Sequence, residues 1–320
     1  MLGQIFGLNS NVHTFDELHF FEQQISPADV HQNFIWSEQK LLRLAERLIT
    51  SSREGLFNPM EPGKYRDEAQ AIIDELDEPR PIDLYRAILE AHTAEHGATI
   101  ALEQTPRYLF AANEILERFP KSHMINIVRD PRDVLLSQKN RWRVQALADK
   151  NVPWIWTVRS WSNYHPFVTS KLWKSSVRKA AEMSSHPRFH SIRYEDILLQ
   201  PERVLKQLCE DIRLPFEPGM LQVSQIGSST GHEKPEMTGL DKSRIGAWKK
   251  GGLTKAEIMI CEKVAEPQML EHGYRPSHER ANPLEIVLLK ASLPLKLAFA
   301  GLVNLNRVSN LRQAVARRLN

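Results

Sequence analysis

Cysteine is almost absent: Cys209 and Cys261 are the only two in 320 residues, and neither stands in a CxxC pair or a Cys/His cluster. No disulfide framework or structural zinc site is therefore indicated, and the chain reads as cytoplasmic. A charge surplus is missing too. Lys and Arg total 42 against 39 Asp and Glu, too even a balance for bulk nucleic-acid binding, so an anion site must be local. The first residues carry no basic segment followed by an apolar one, and no stretch of 18 uncharged apolar residues occurs anywhere. Neither a signal peptide nor a conventional transmembrane span is indicated. A GxxxxGK motif followed by Ser or Thr is also lacking, which argues against a kinase-like phosphoryl transferase.

What is present is ordinary globular material, 42% hydrophobic and 25% charged, enough for one large α/β domain with appendages. One local plan recurs three times. "MINIV" (Met124 to Val128) has strand length, and the "RDPRD" that follows is a helix start, with Asp130 as N-cap, Pro131 at N1 and Asp133 at N3. "ATIALEQTPRYLFAANEILERF" runs apolar to Leu102, has Thr105 as cap and Pro106 at N1, and sets Leu109, Ala112, Ile115, Leu116 and Phe119 on one helical face. "RFHSIRYEDILLQPERVLKQLCEDIRLP" gives a strand ending near Tyr194 and a helix from about Pro201. Strand followed by helix, repeated, predicts βαβ units and a parallel sheet.

In such sheets ligands lie beyond the carboxyl ends of the strands, and Arg129 stands at that edge. Ser137, eight residues on, falls about two turns into the helix, roughly 10 Å along its axis. A phosphate held there takes a guanidinium from one side and a hydroxyl from the other. The same spacing also permits a surface ion pair between Arg129 and Asp133 with Ser137 as an incidental helix residue.

"INIVRDPRDVLLSQKNRW" resembles the 3′-phosphate-binding motif of sulfotransferases, which use 3′-phosphoadenosine 5′-phosphosulfate (PAPS). The resemblance implies that Arg129 and Ser137 grip the 3′-phosphate. "RYEDILLQPERVLKQLCEDIRLPFEP" is similar to the strand and helix that carry an adenine-contacting tyrosine, which lands on Tyr194. "SRIGAWKKGGLTKAEIMICEKVAEPQMLEHGY" resembles the C-terminal segment whose basic residues close over the 3′-phosphate. In the cytosolic branch that segment carries Arg-Lys-Gly, whereas this chain has Asp241 there, so the contact passes to Lys242 or Arg244, a choice the sequence leaves open.

The implied fold is α/β, a three-layer parallel sheet flanked by helices and P-loop NTPase-like. A second departure concerns its start. The Gly-rich loop that cradles the 5′-phosphosulfate is not found, and "MLGQIFGLNSNVHTFDELHFFEQQI" resembles the end of the helix after that loop and the segment beyond it. First strand and loop are thus expected to lie upstream of Met1, with residues 1–276 an N-terminally incomplete sulfotransferase domain and 277–320 an amphipathic helical tail.

Sulfuryl transfer requires a base for the acceptor's proton and cations for the leaving phosphate, with no metal. The tyrosylprotein branch uses a glutamate just after the first helix, and "HTFDELHFFEQ" puts Glu17 at that place. Asp16, His13 and His19 are substitutes, and a helix cap is the structural alternative for Glu17. Arg107, on the turn after Pro106, reads as a surface residue.

Trp154, Val158, Trp161 and His165 share one helical face, a stripe that reads as core more readily than as an acceptor pocket. From Asn282 the chain is apolar to about Val303 and then basic, with Arg307, Arg312, Arg317 and Arg318. Pro294, Lys290 and Lys296 speak against a clean span; a membrane face and a partner in a homodimer both fit. Two functional classes follow. One is an enzyme moving a sulfuryl group from PAPS to a hydroxyl or amine of a glycan, lipid or small molecule. The other is a nucleotide-binding or scaffold relic of the family.

Overall fold

A computed structural model describes residues 1–25, 36–55, 58, 60–77, 79–148, 153–225 and 234–304. The chain divides into two compact units, one of residues 1–122 with 214–224 and one of 123–213 with 225–320.

In the first unit a short helix α1 (Leu2–Phe6) precedes strand β1 (Val12–Phe15). Helices α2 (Glu38–Glu54), α3 (Arg66–Asp74) and α4 (Pro81–Glu95) follow, then strand β2 (Ile100–Glu103). The β2 strand pairs in parallel with β1, Val12 opposite Ile100 and Phe15 opposite Glu103, so the loops leaving their carboxyl ends lie side by side. The α2 helix buries Leu41, Leu44, Ala45, Leu48 and Ile49, a spacing of three and four that turns one stripe inward. Each such leucine or isoleucine contributes about 1.5 to 3 kcal/mol by leaving water.

The helix expected after Thr105 is in two pieces, a tight 3-10 stretch over Pro106–Ala111 and α5 (Ala112–Arg118). Thr105 does not cap it: the hydroxyl donates to the Glu103 carboxylate instead. The hydroxyl oxygen accepts from the His19 amide at 3.2 Å rather than from the first turn of the helix.

The second unit begins with β3 (Met124–Val128), α6 (Pro131–Ala148), α7 (Trp154–Asn163) and α8 (Pro166–Met183). Next come β4 (Phe189–Arg193), α9 (Tyr194–Leu199), α10 (Pro201–Asp211), α11 (Lys255–Glu271) and α12 (Pro283–Asn304). The β3 and β4 strands are parallel, with Met124 opposite Phe189 and Val128 opposite Arg193. The start of α6 is as its sequence predicts: Asp130 Oδ1 accepts from the Arg132 amide at 2.9 Å, and the Asp130 carbonyl from the Val134 amide at 3.0 Å. Val128, Trp173, Val177, Ala265, Met269 and Tyr274 form the core behind the strand ends. Both units are thus mixtures of helix and parallel strand, as an α/β fold requires. Cys209 and Cys261 are free and buried, and burial pushes their thiols up to about 11 and about 12.

The tryptophan stripe is not core. His165 is buried, yet Trp154 is 74% exposed and Trp161 46% exposed. The neighbouring α12 covers Trp161 only in part, through Phe299 edge-on at 6.1 Å and Lys296 over its ring at 3.3 Å. Despite Pro294, α12 is one 22-residue helix, and among the described residues it alone is long and apolar enough to cross a membrane by length and composition. The arginines from Arg307 to Arg318 lie outside the described residues.

Candidate functional site

The first unit gathers a carboxylate and histidine group where β1 ends. Phe20 and Phe21 anchor it: Phe20 stacks on Tyr85 with ring centres 4.3 Å apart, and Phe21 meets Tyr108 edge-on at 5.1 Å. With those rings fixed, the three preceding backbone amides are pinned by the strand end alongside. Leu18 donates to Glu103 Oε1 at 2.8 Å, His19 to the Thr105 hydroxyl at 3.2 Å, and Phe20 to the Tyr108 hydroxyl at 2.9 Å. So held, His19 takes the left-handed conformation, φ 53° and ψ 27°, which non-glycine residues seldom adopt outside functional or tightly constrained positions.

That conformation aims the His19 ring between two carboxylates. Nε2 meets Glu17 Oε2 at 3.2 Å and Nδ1 meets Glu22 Oε1. Burial opposes a charge on the ring, but the two carboxylates outweigh it and raise the imidazole to about 9. Burial would likewise raise Glu22, yet His19 and Arg107 hold it below the usual carboxylate range. Arg107 is exposed, as its sequence position suggests, and its Nε lies 3.7 Å from Glu22 Oε2. Within this row only Glu17 opens substantially to solvent, at 33% side-chain exposure against 12% for His19 and 7% for Glu22. A hydroxyl approaching from outside meets Glu17 first.

The cap alternative for Glu17 is not what the fold uses. The helical turn Phe20–Gln24 starts after His19, and the Glu17 carboxylate is engaged with the imidazole. Asp16 is exposed, and His13 stacks instead on His96 at 3.9 Å, so neither joins the row. Glu22 and Glu103 went unnoticed in sequence. Burial pushes Glu103 up to about 7 against the hydrogen bonds it receives from Thr105 and Leu18. Its signal was a carboxylate ending an apolar strand just before a Thr-Pro turn.

In the same unit Glu68, His92 and Glu95 bring their ligand atoms within 4.8 Å of one another. Arg53 Nη2 already bridges the two glutamates at 2.7 and 2.9 Å, so this is an ion-paired network with its own cation.

The second unit carries the anion-type group. Arg129, one residue past β3, lays its guanidinium 4.3 Å from the Tyr194 ring centre, and Tyr194 is the first residue past β4. Arg129 Nη2 donates to the Arg244 carbonyl at 3.0 Å and lies 3.8 Å from Asp133 Oδ2. This is no surface pair. Asp133 is buried and accepts from the amides of Gly246 at 2.9 Å and Trp248 at 3.0 Å, so its carboxylate organises the loop that carries Arg244. Burial raises its carboxyl, with those amides and Arg129 working against the rise. Gly246 suits the turn with φ of 65°, and Gly252, with φ of 90°, lies so close to Leu136 that a Cβ there would come within 2.6 Å of Cδ1.

Of the two basic candidates, Arg244 meets Arg129 through its backbone carbonyl. Its side chain leans on Asp241 at 3.4 Å, while Lys242 is exposed at the start of the same turn. Ser137 is half-buried on α6. The Arg129 Nε is buried and has no hydrogen-bond partner, an orphaned donor of the kind an incoming oxyanion satisfies. Behind them Arg132 fixes the start of α6: it pairs with Asp130 and Glu262, both at 2.8 Å, and stacks 4.0 Å from Trp248.

In this α/β protein a strand-end arginine thus stacks on the aromatic residue beyond the neighbouring strand, under a basic turn. The family is settled by comparison. The pattern described as "Sulfotransferase family" matches residues 1–218, and the chain belongs to that family. It is 26% identical over 147 residues to human Sulfotransferase 2A1, a match covering 42% of this chain and 49% of that protein, so the chain spans about half the length of the curated relative. Among solved structures it is similar to the "Sulfotransferase Domain from the Curacin Biosynthetic Pathway", at TM-score 0.48 and 21% identity over 86% of this chain and 93% of that one. The "Sulfotransferase Domain from the Synechococcus PCC 7002 Olefin Synthase" aligns at TM-score 0.46 and 18% identity, covering 83% and 88%.

Proposed function

We propose that this protein is a PAPS-dependent sulfotransferase acting on a hydroxyl or amine of a glycan, lipid or small molecule. Family membership supports the reaction class, and the observation that carries the donor is the Arg129 group. A guanidinium fixed by Tyr194 and by the Arg244 carbonyl, with its Nε still unpaired, suits the 3′-phosphate that distinguishes PAPS from ATP. Arg244 rather than Lys242 supplies the second cation, Ser137 the hydroxyl, and Tyr194 a flat surface beside the nucleoside. The three-layer, P-loop-like sheet and a cytoplasmic location belong to the same reading.

PAPS supplies the sulfuryl group. On the acceptor side Glu17 takes the proton of the attacking hydroxyl or amine, being the member of its row open to solvent. His19, held between Glu17 and Glu22, orients the Glu17 carboxylate.

Calorimetry with the full chain tests the donor assignment. Adenosine 3′,5′-bisphosphate is expected to bind at least tenfold more tightly than adenosine 5′-monophosphate, about 1.4 kcal/mol. Equal affinities would remove the claim.

A further inference from the structure

We infer that the outer face of α12, together with the α7 tryptophans, seats the protein flat on an anionic lipid bilayer. This goes beyond the proposed reaction and does not depend on it.

The surface is unusual for a water-soluble helix. Leu284, Val287, Leu288, Leu295, Phe299 and Leu302 are 41 to 75% exposed and fall at helical spacing, with successive turns at 284, 287 and 288, then 295, 299 and 302, so they form one outward stripe. Its most apolar 18-residue window has mean hydropathy 1.8 and is only 6% buried, so it is not the core helix of a soluble domain. Exposed apolar surface of this extent marks an interaction site.

Two observations choose the occupant. The first is how α12 is fastened. His165 Nε2 bonds the Leu289 carbonyl at 3.0 Å, Lys296 Nζ the Trp161 carbonyl at 3.1 Å, and Arg159 Nε the Val303 carbonyl at 3.2 Å. The helix is thus tied along its length to α7 and the start of α8, within its own unit. To cross a bilayer it would have to leave all three; to lie in the plane of one it keeps them. Trp161, with Lys296 Nζ 3.3 Å from its ring centre, and the more exposed Trp154 sit beside the stripe, as interfacial tryptophans and lysines do.

The second is charge. After Glu285 the sequence has no acidic residue to its end, but it has Lys290, Lys296, Arg307, Arg312, Arg317 and Arg318. A second copy would bring Lys290 and Lys296 against their own counterparts. Anionic headgroups bring the opposite charge, at about 1 kcal/mol for each basic residue near the surface.

Flotation of the full chain tests this, with vesicles of pure phosphatidylcholine and vesicles containing phosphatidylglycerol, in low and high salt. Wild type is expected to float with the anionic vesicles at least about tenfold more than with the neutral ones, and less in high salt. The double substitution L288D/L295D changes two solvent-facing positions, so its melting temperature should be unchanged while flotation falls about tenfold or more. Failure to float, equal flotation on neutral vesicles, or equal flotation of a normally melting variant would overturn the inference. So would a concentration-dependent dimer in analytical ultracentrifugation that L288D/L295D dissolves, which would assign the face to a second copy.

Discussion

Arg129 lies with its guanidinium 4.3 Å from the centre of the Tyr194 ring, and each residue stands one place beyond a paired strand end, Val128 and Arg193. The contact therefore follows from strand register: parallel pairing delivers the two side chains to the same edge. Arg129→Ala is expected to cost about 2 to 4 kcal/mol of adenosine 3′,5′-bisphosphate binding, since a charged donor is lost from a partly buried anion site. Calorimetry reads this directly, and a loss below roughly 0.5 kcal/mol would return Arg129 to the status of a surface residue.

Lys242 and Arg244 separate on the same assay. Arg244 belongs to the Arg129 group through its carbonyl and through Asp241, whereas Lys242 is exposed. Arg244→Ala should weaken bisphosphate binding about tenfold or more and Lys242→Ala less than threefold. The reverse order would show that the turn rearranges around the nucleotide.

Arg132 carries a stability prediction. It is buried and joined to Asp130, Glu262, the Arg275 carbonyl and the face of Trp248. Arg132→Met removes the cation and leaves two buried carboxylates facing each other, which should cost about 3 to 5 kcal/mol in a urea melt. A loss under about 1 kcal/mol would mean that water reaches those carboxylates.

His19 makes stability depend on pH. Its folded value of about 9 exceeds the unfolded 6.5, so the protonated ring favours the folded state. That contribution is complete below about 6.5, declines as pH rises, and is gone above about 9. His19→Asn, chosen because asparagine accepts the left-handed backbone, should remove this component. The difference in melting temperature between wild type and His19→Asn is then expected to shrink from pH 6.5 to pH 9, and a difference constant across that window would show an uncharged His19.

How far the sequence discloses this site depends on how local the physics is. Asp130, Pro131 and the start of α6 are legible because a cap and a proline act within one turn. Arg129 and Tyr194 are legible as strand-end residues. The turn that presents the Arg244 carbonyl to Arg129 is not, because it rests on Asp133 receiving the amides of Gly246 and Trp248 from more than a hundred residues away. Nor is the bridging role of His19, which needs a left-handed residue that hydrophobic periodicity does not register. The Trp154 and Trp161 stripe misleads for a related reason: spacing shows that residues share a face, but not whether anything covers it.

On the proposed reading Glu17 takes the proton of the acceptor. Its carboxylate is the solvent-facing end of the row formed with His19 and Glu22. Glu17→Gln keeps the shape and an oxygen for the imidazole but no longer accepts a proton, so fold and bisphosphate affinity should persist while turnover falls about 100-fold or more. Glu22→Gln tests the supporting end: it removes the second carboxylate from His19, so it should lower the imidazole's value and shift the pH dependence of turnover more than its maximum. His13→Ala, whose ring lies against His96 and outside the row, should leave turnover within a few-fold of wild type. Radiolabelled sulfate transfer measured beside thermal melts reads all three, and a collapse confined to His13→Ala would move the base from Glu17 to that histidine.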